Sequence, residues 1–256
     1  TPWGTWLSAE EFPQGQVWEC QPLGRPEDAV VRPALGCFKH EAVTVDPVRK
    51  MLYLTEDEPD GRLYRFVCAP RDWPTGARRP ALKDGTLQVL QLVDLAASEA
   101  PDGRLDVAKA QRVSWVDVVQ PASPQATVRS QLGPRAPGTP FKGGEGLWYH
   151  QGIVYFSTKT DNRIWACDTQ AHTLQTLYDF AKASPNDQVL SGVDNLTVSH
   201  AGDVLVAEDG GNMELCVIGP DRRVKVLLRL LGQDGSEITG PAFSPDGQRL
   251  YFNSQR

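Results

Sequence analysis

Carboxylates recur at matched places along this sequence, each directly before a short apolar run. Glu41 precedes Ala42-Val43-Thr44-Val45, Glu145 precedes Gly146-Leu147-Trp148-Tyr149, and Asp194 precedes Asn195-Leu196-Thr197-Val198. Glu237 lies just before a fourth run, and a second set of acids, Glu10-Glu11, Glu56-Asp57, Asp161 and Glu208-Asp209, follows apolar runs. Exposed acids have no reason to keep register with apolar strands. Several carboxylates at one place repel one another unless they are protonated or bridged by a cation, and hard oxygen donors select Ca²⁺ or Mg²⁺. The candidate metal ligands are therefore Glu10, Glu41, Glu145, Asp194 and Glu237, with Asn162, Asn195 and Asn212 as possible neutral oxygens. Gly143, Gly144, Gly146, Gly210 and Gly211 would let backbone approach closely. Glu56-Asp57 and Glu208-Asp209 fit ordinary loop acids equally well. His40 could be a general acid or a ligand, but a lone histidine at a strand entry is more often packed. Lys159 and Arg163 could bind an anionic group or stand as solvated rim charges.

The elements that would position these acids form a repeat. His40 to Asp46 leads into Met51 to Asp57, Gly144 to Tyr149 into Ile153 to Thr158, Asp194 to Ser199 into Val204 to Asp209, and Gly240 to Gly247 into Leu250 to Ser254. Asp46-Pro47, His150-Gln151-Gly152, Ala201-Gly202-Asp203 and Pro245-Asp246-Gly247 supply turn chemistry between the members of each pair. Further strands are expected at Leu63 to Cys68, Leu87 to Leu92, Ile164 to Cys167, Leu174 to Tyr178, Met213 to Ile218 and Val224 to Leu228. Four strands per unit at a pitch of roughly 40 to 50 residues is the blade pattern. The expected fold is an all-β propeller of about five or six blades, with the first and last incomplete. Residues 95 to 140, whose one good strand candidate is Val113 to Val119, read as a degenerate blade or an insertion within a single domain spanning 1 to 256. Antiparallel blades bring the starts of innermost strands and the ends of second strands to one rim, so the acids predict a divalent-metal site at the mouth of the central channel.

Composition narrows the function classes. The net charge is -6, with no Lys/Arg cluster beyond Arg78-Arg79, which excludes a phosphate-neutralising nucleic-acid surface. No apolar stretch approaches the ~20 residues of a membrane helix, and the N-terminus carries no export signal. The five cysteines include no CxxC pair; Cys20, Cys68, Cys167 and Cys216 fall in apolar stretches of equivalent strands and read as small hydrophobes. The start on Thr-Pro-Trp and the end at Arg256 suggest a piece of a longer chain.

The runs Thr1 to Glu11, Phe38 to Val43, Gly144 to Trp148, Val193 to Leu196 and Ser236 to Phe243 together resemble the bacterial PhoX-type alkaline phosphatases. The resemblance implies a calcium-dependent propeller, with iron in characterised members, that hydrolyses phosphate esters outside the cytoplasm after twin-arginine export. Carried over by motif, Glu41, Glu145 and Asp194 would be metal-ligating carboxylates with Glu10 beside them; with Lys159 standing in for an arginine of the family, Glu41, Glu145 and Lys159 would be the catalytic set. Two positions depart from the family. Ser8-Ala9-Glu10-Glu11 stands where the family usually reads Thr-Cys-Glu-Glu, so Ala9 replaces a thiolate iron ligand. Gly143-Gly144-Glu145 stands where characterised phosphatases carry Arg-Pro-Glu, leaving Lys142 or Lys159 to meet a phosphate without the bidentate fork of arginine. The leading expectation is a metal-dependent phosphoester hydrolase acting on a small phosphate ester or other anionic substrate. The alternatives are a non-catalytic calcium-stabilised binding module and a single-calcium lactonase or organophosphate-type hydrolase.

Overall fold

The computed structural model describes residues 1–123, 126–131 and 137–255, and nearly all its regular structure is strand. Contacts divide the chain into two compact units, one made of Thr1–Leu105 with Gln111–Phe141, the other of Asp106–Ala110 with the chain from Lys142 onward.

The first unit begins with a three-stranded antiparallel sheet of β1 (Trp6–Ala9), β2 (Val17–Cys20) and β3 (Val30–Val31). A meander follows: β4 (His40–Asp46), β5 (Met51–Glu56), β6 (Leu63–Cys68), β7 (Gly85–Leu92) and β8 (Gln111–Asp117), each antiparallel to the last. Segment 95–140 therefore contributes β8 as a further strand on β7, with Leu92 opposite Val113. A single helical turn, α1 (Val128–Gln131), follows it. Residues 124, 125 and 132–136 of that segment lie outside the described residues. In the second unit, β9 (Gly144–His150), β10 (Ile153–Thr158), β11 (Arg163–Asp168) and β12 (Thr173–Asp179) form one antiparallel meander. β13 (Val193–Val198), β14 (Val204–Glu208), β15 (Glu214–Ile218) and β16 (Val224–Arg229) form the next, and β17 (Glu237–Phe243) pairs with β18 (Leu250–Gln255).

Burial explains why the inner strands read as continuous apolar runs. β14, Val-Leu-Val-Ala-Glu, is buried at all five positions because both its faces are covered, whereas outer β16 leaves Val226 and Leu227 exposed. Phe38, Leu52, Leu54, Tyr64, Phe66 and Leu87 fill the core of the first unit. Val193, Leu196, Val204, Val206, Cys216 and Ile218 anchor one core of the second.

Turn chemistry sets the register. His150 pairs with Ile153 across Gln151-Gly152, both at positive φ (45° and 91°), the two-residue hairpin loop whose twist matches the strands. The β4–β5 and β11–β12 turns share another device. Asp46 Oδ1 accepts from Val48 N and Arg49 N at 2.9 and 3.0 Å, Asp168 Oδ1 accepts from Gln170 N and Ala171 N at 2.8 Å, and the residue four after each, Lys50 or His172, takes a left-handed φ.

His40 is fully buried, with its ring centroid 3.6 Å from that of Phe38, Nε2 3.2 Å from Gly36 O, and Nδ1 without a hydrogen-bond partner among the described residues. The packed reading of this histidine is the one its surroundings fit. Burial lowers its pKa to about 3, against a smaller opposing effect of the Gly36 carbonyl. An unfolded histidine binds its proton near pH 6.5, so between that pH and 3 the unfolded chain holds more protons and stability falls as pH drops. Denaturant titration should show about 2 kcal/mol lost from this group between pH 7.5 and 5, a slope that His40→Gln lacks; equal slopes would refute the assignment.

Candidate functional site

Glu41, Glu145 and Asp194 are each the second residue of the first strand of a meander, β4, β9 and β13, and Glu237 opens β17. The equivalence read from the sequence is thus a structural one. Within the second unit, β9 lies against β13, and Gly146 is the reason it can. A Cβ there would sit 2.5 Å from Leu196 N and 2.7 Å from Asn195 Cα, closer than real Cβ contacts allow. Ser157 Oγ, on β10, fastens the same crossing by donating to Asp194 O at 2.5 Å, and also lies 3.3 Å from Gly146 O.

That crossing brings together the buried side chains of Glu145 and Asp194, which offer carboxylate oxygens within 4.8 Å of one another. Lys159 Nζ reaches the pair from the β10–β11 turn, 3.3 Å from Asp194 Oδ2, and also binds Asp209 Oδ2. Burial alone would lower the lysine pKa. The hydrogen bond to Asp209 and the charges of Asp194, Glu145 and Asp209 outweigh it and hold the ammonium above its ordinary range. Burial raises the Asp194 carboxyl despite Lys159, while Asn195 Nδ2 donates to its Oδ1 at 2.7 Å. Asp209 also forms a backbone bridge with Glu237, so the start of β17 joins the same rim of the second unit.

Other candidates have structural employment. The Asn195 Oδ1 accepts from Gly240 N at 2.7 Å, and the Asn162 Oδ1 accepts from Gly192 N at 2.6 Å and Val193 N at 3.3 Å. Both amide oxygens brace the strand starts. Arg163 is committed to Asp161 and Asp179, at 3.0 Å each. Asn212 lies in the β14–β15 turn. In the first unit, Glu10 Oε2 accepts from Gln16 N at 2.9 Å, and Glu10 O accepts from His40 N at 3.2 Å, which sets Glu10 beside the strand start that carries Glu41. Lys39 bridges Glu11 and Asp57 at 3.2 and 2.6 Å. Ala9 closes β1 opposite Val17 and offers only a methyl group. Gly143 takes φ 70°, a conformation that would strain an arginine.

Two residues that looked like loop acids are buried. Glu56 and Glu208 end β5 and β14 with almost no exposure, and each accepts from the backbone N–H six residues on, Arg62 or Glu214, at 3.1 Å. An acid closing an apolar strand and followed within seven residues by the next strand was the available signal. The donor chemistry at Glu145 and Asp194, hard oxygens at close spacing and partly neutralised by the Lys159 ammonium, fits a hard divalent cation such as Ca²⁺.

The family model described as "Alkaline phosphatase PhoX" matches residues 1–175 and 164–256. Pseudomonas fluorescens PhoX, solved in complex with vanadate, a transition state analogue, is similar at 19% identity with a TM-score of 0.72, over 100% of this chain and 63% of that one. The chain thus spans under two thirds of that protein's length, and the likeness shows the fold, a β-propeller. A gluconolactonase from Xanthomonas campestris (14% identity, TM-score 0.37, 94% of this chain and 76% of that one) and a putative glucose dehydrogenase from Thermus thermophilus (15%, 0.40, 98% and 88%) are too distant to carry argument. Comparison with curated proteins gives no match. No helix among the described residues is long and apolar enough to cross a membrane. With the family model matching nearly the whole length, the chain belongs to the PhoX alkaline phosphatase family.

Proposed function

We propose that this chain is a calcium-dependent phosphoester hydrolase working outside the cytoplasm, with Glu145 and Asp194 as its central metal ligands. The observation that carries the reading is the pairing of these two buried carboxylates at the Gly146 crossing in a member of a phosphatase family. Glu41, at the equivalent strand position of the first unit, is a further proposed ligand with Glu10 beside it, and Glu237 is a proposed flanking acid in the second unit. Calcium, when bound, supplies electrophilic polarisation of a phosphoryl oxygen and a favourable place for the attacking water.

The chain's own residues do the rest. Lys159 holds Asp194 and Asp209 in place and is the proposed cation for an anionic phosphate oxygen, as a point charge rather than a fork. Asn195 orients Asp194 through its amide and fixes β13 to Gly240. Iron is not assigned, since Ala9 supplies no thiolate at the place where the family carries one. Ala9 and the left-handed Gly143 favour a second reading, in which calcium only ties strands together.

The test is elemental analysis after dialysis against metal-free buffer, paired with aryl phosphate hydrolysis with and without chelator. Retained calcium, with turnover abolished by chelator and restored by added Ca²⁺, is the expected result. Retained calcium without phosphate-ester turnover would install the structural reading instead. Neither calcium nor calcium-dependent turnover would overturn both.

A further inference from the structure

A second cluster lies within the β13–β16 sheet. Glu208 ends β14, Glu214 opens β15, and Cys216, two residues on, shares its strand face. All three are buried, and each offers a ligand atom within 4.8 Å of the others. Both Glu208 oxygens accept backbone N–H groups, from Ser191 at 2.8 Å and Glu214 at 3.1 Å, and among the described residues no cationic side chain forms an ion pair with it. Arg229 holds Glu214 Oε1, with Nε at 2.7 Å. Glu214 Oε2 is buried with no hydrogen-bond partner among the described residues.

The first unit shows what such a place needs. Glu56 stands at the corresponding strand end and accepts from Arg62 N as Glu208 accepts from Glu214 N. Tyr64 follows Arg62 by two residues, as Cys216 follows Glu214. There, Glu56 is met by Arg129 Nε at 3.1 Å and by the Tyr64 hydroxyl at 2.9 Å. In the second unit Glu214 stands at the position of Arg62 and Cys216 at that of Tyr64, and among the described residues no counterpart of Arg129 pairs with Glu208. Burial, reinforced by the Glu214 charge, raises Glu208 to about 7, and burial raises the Cys216 thiol as well.

We propose that Glu208, Glu214 and Cys216 form a second metal site, for a borderline-soft divalent ion of the Zn²⁺ class, which ties β14 to β15 independently of the calcium site. One thiolate with two carboxylates is a zinc-type donor set that calcium would not select. The charges close: three anionic donors balance Arg229 and a divalent ion. Binding releases the Cys216 thiol proton, and any proton on Glu208, to solvent, and the donors contract to the ~3.5 Å spacing that Zn–S and Zn–O bond lengths set in a tetrahedron. The small-hydrophobe reading of Cys216 accounts for its burial but not for the orphaned Glu214 oxygen beside it.

Cobalt is the probe, because a thiolate bound to Co²⁺ gives a near-ultraviolet charge-transfer band that carboxylates do not. The dialysed chain is titrated with Co²⁺, alongside Cys216→Ser, Glu214→Gln, Cys20→Ser and Glu145→Gln, with folding of each checked by circular dichroism. The expected result is a band saturating at one equivalent and bleached by Zn²⁺. It persists in Cys20→Ser and Glu145→Gln, disappears in Cys216→Ser, and needs at least tenfold more Co²⁺ in Glu214→Gln. If Cys216→Ser fails to fold, Glu214→Gln, which can still pair Oε1 with Arg229, decides. No band in the parent chain would mean that Glu208 and Glu214 merely share a proton, and would overturn the site. So would a band that survives Cys216→Ser or is unchanged in Glu214→Gln. Because Glu145→Gln removes a calcium ligand without touching this cluster, failure of one site is distinguishable from failure of the other.

Discussion

Asp194→Asn is expected to lower kcat/KM for an aryl phosphate by at least ~100-fold, about 2.7 kcal/mol of transition-state stabilisation, while leaving the protein folded. The substitution keeps the shape of the side chain and removes its charge. Asp194 is the buried carboxylate facing both Glu145 and Lys159, so under the proposed function its loss deprives a bound cation of a central anionic ligand. Stability in chelator should change little, because the wild-type carboxylate is itself strained by burial, which raises its pKa. Lys159 retains Asp209 as a partner in the variant. The measurement is therefore a pair: retained calcium with turnover on one side, melting temperature in chelator on the other. A variant that keeps its calcium and its rate would remove Asp194 from the site, and one that simply unfolds would show the residue to be structural.

Gly146→Ala should damage both the fold and the site of the second unit. The added carbon would meet the backbone of Asn195 and Leu196, and backbone cannot swing aside as a side-chain tip can. Overpacking of this kind costs about 1–3 kcal/mol, and the upper end applies because β9 or β13 must move. Movement there separates Glu145 from Asp194, so calcium retention should fall together with stability. That correlation sets the variant apart from Asp194→Asn. Denaturant midpoints and calcium content measured on the same preparations check it; unchanged values for both would mean that the strands have slack at the crossing.

The difference between what the sequence disclosed and what it hid follows from the range of the interactions. Strands and hairpins were legible because apolar runs and turn residues act over a few positions; Leu63–Cys68 falls on its expected bounds, and β15 starts one residue later than expected. The shared placement of Glu41, Glu145 and Asp194 was legible for the same reason, being one position repeated at strand starts. From the sequence Lys159 reads either as a cation for an anionic group or as a solvated rim charge, whereas its partners, Asp194 and Asp209, lie 35 and 50 residues along the chain. No local pattern encodes that. Asn162 and Asn195 were open to being metal donors because an amide oxygen serves a cation or an N–H equally well; only the position of Gly192, Val193 and Gly240 decides between them. Glu56 and Glu208 were misleading in a further way. An acid at the end of a strand ordinarily turns to water, and these two turn inward because the backbone N–H six residues on is aimed at them.

The aspartate-anchored turns after Asp46 and Asp168 bear on how quickly the chain finds this arrangement. Each satisfies two backbone donors from a side chain two and three residues away, so the turn can close before any distant part of the chain has docked. Hairpins closed in this way form on a timescale of about 1–10 μs. The approach of β9 to β13 at Gly146 instead joins segments separated by three strands, β10 to β12, and must wait for loop closure over that length. Folding of the second unit is thus ordered in time, with local ribbons first and the carboxylate pair last, so the groups that repel one another meet only after the surrounding sheets can hold them.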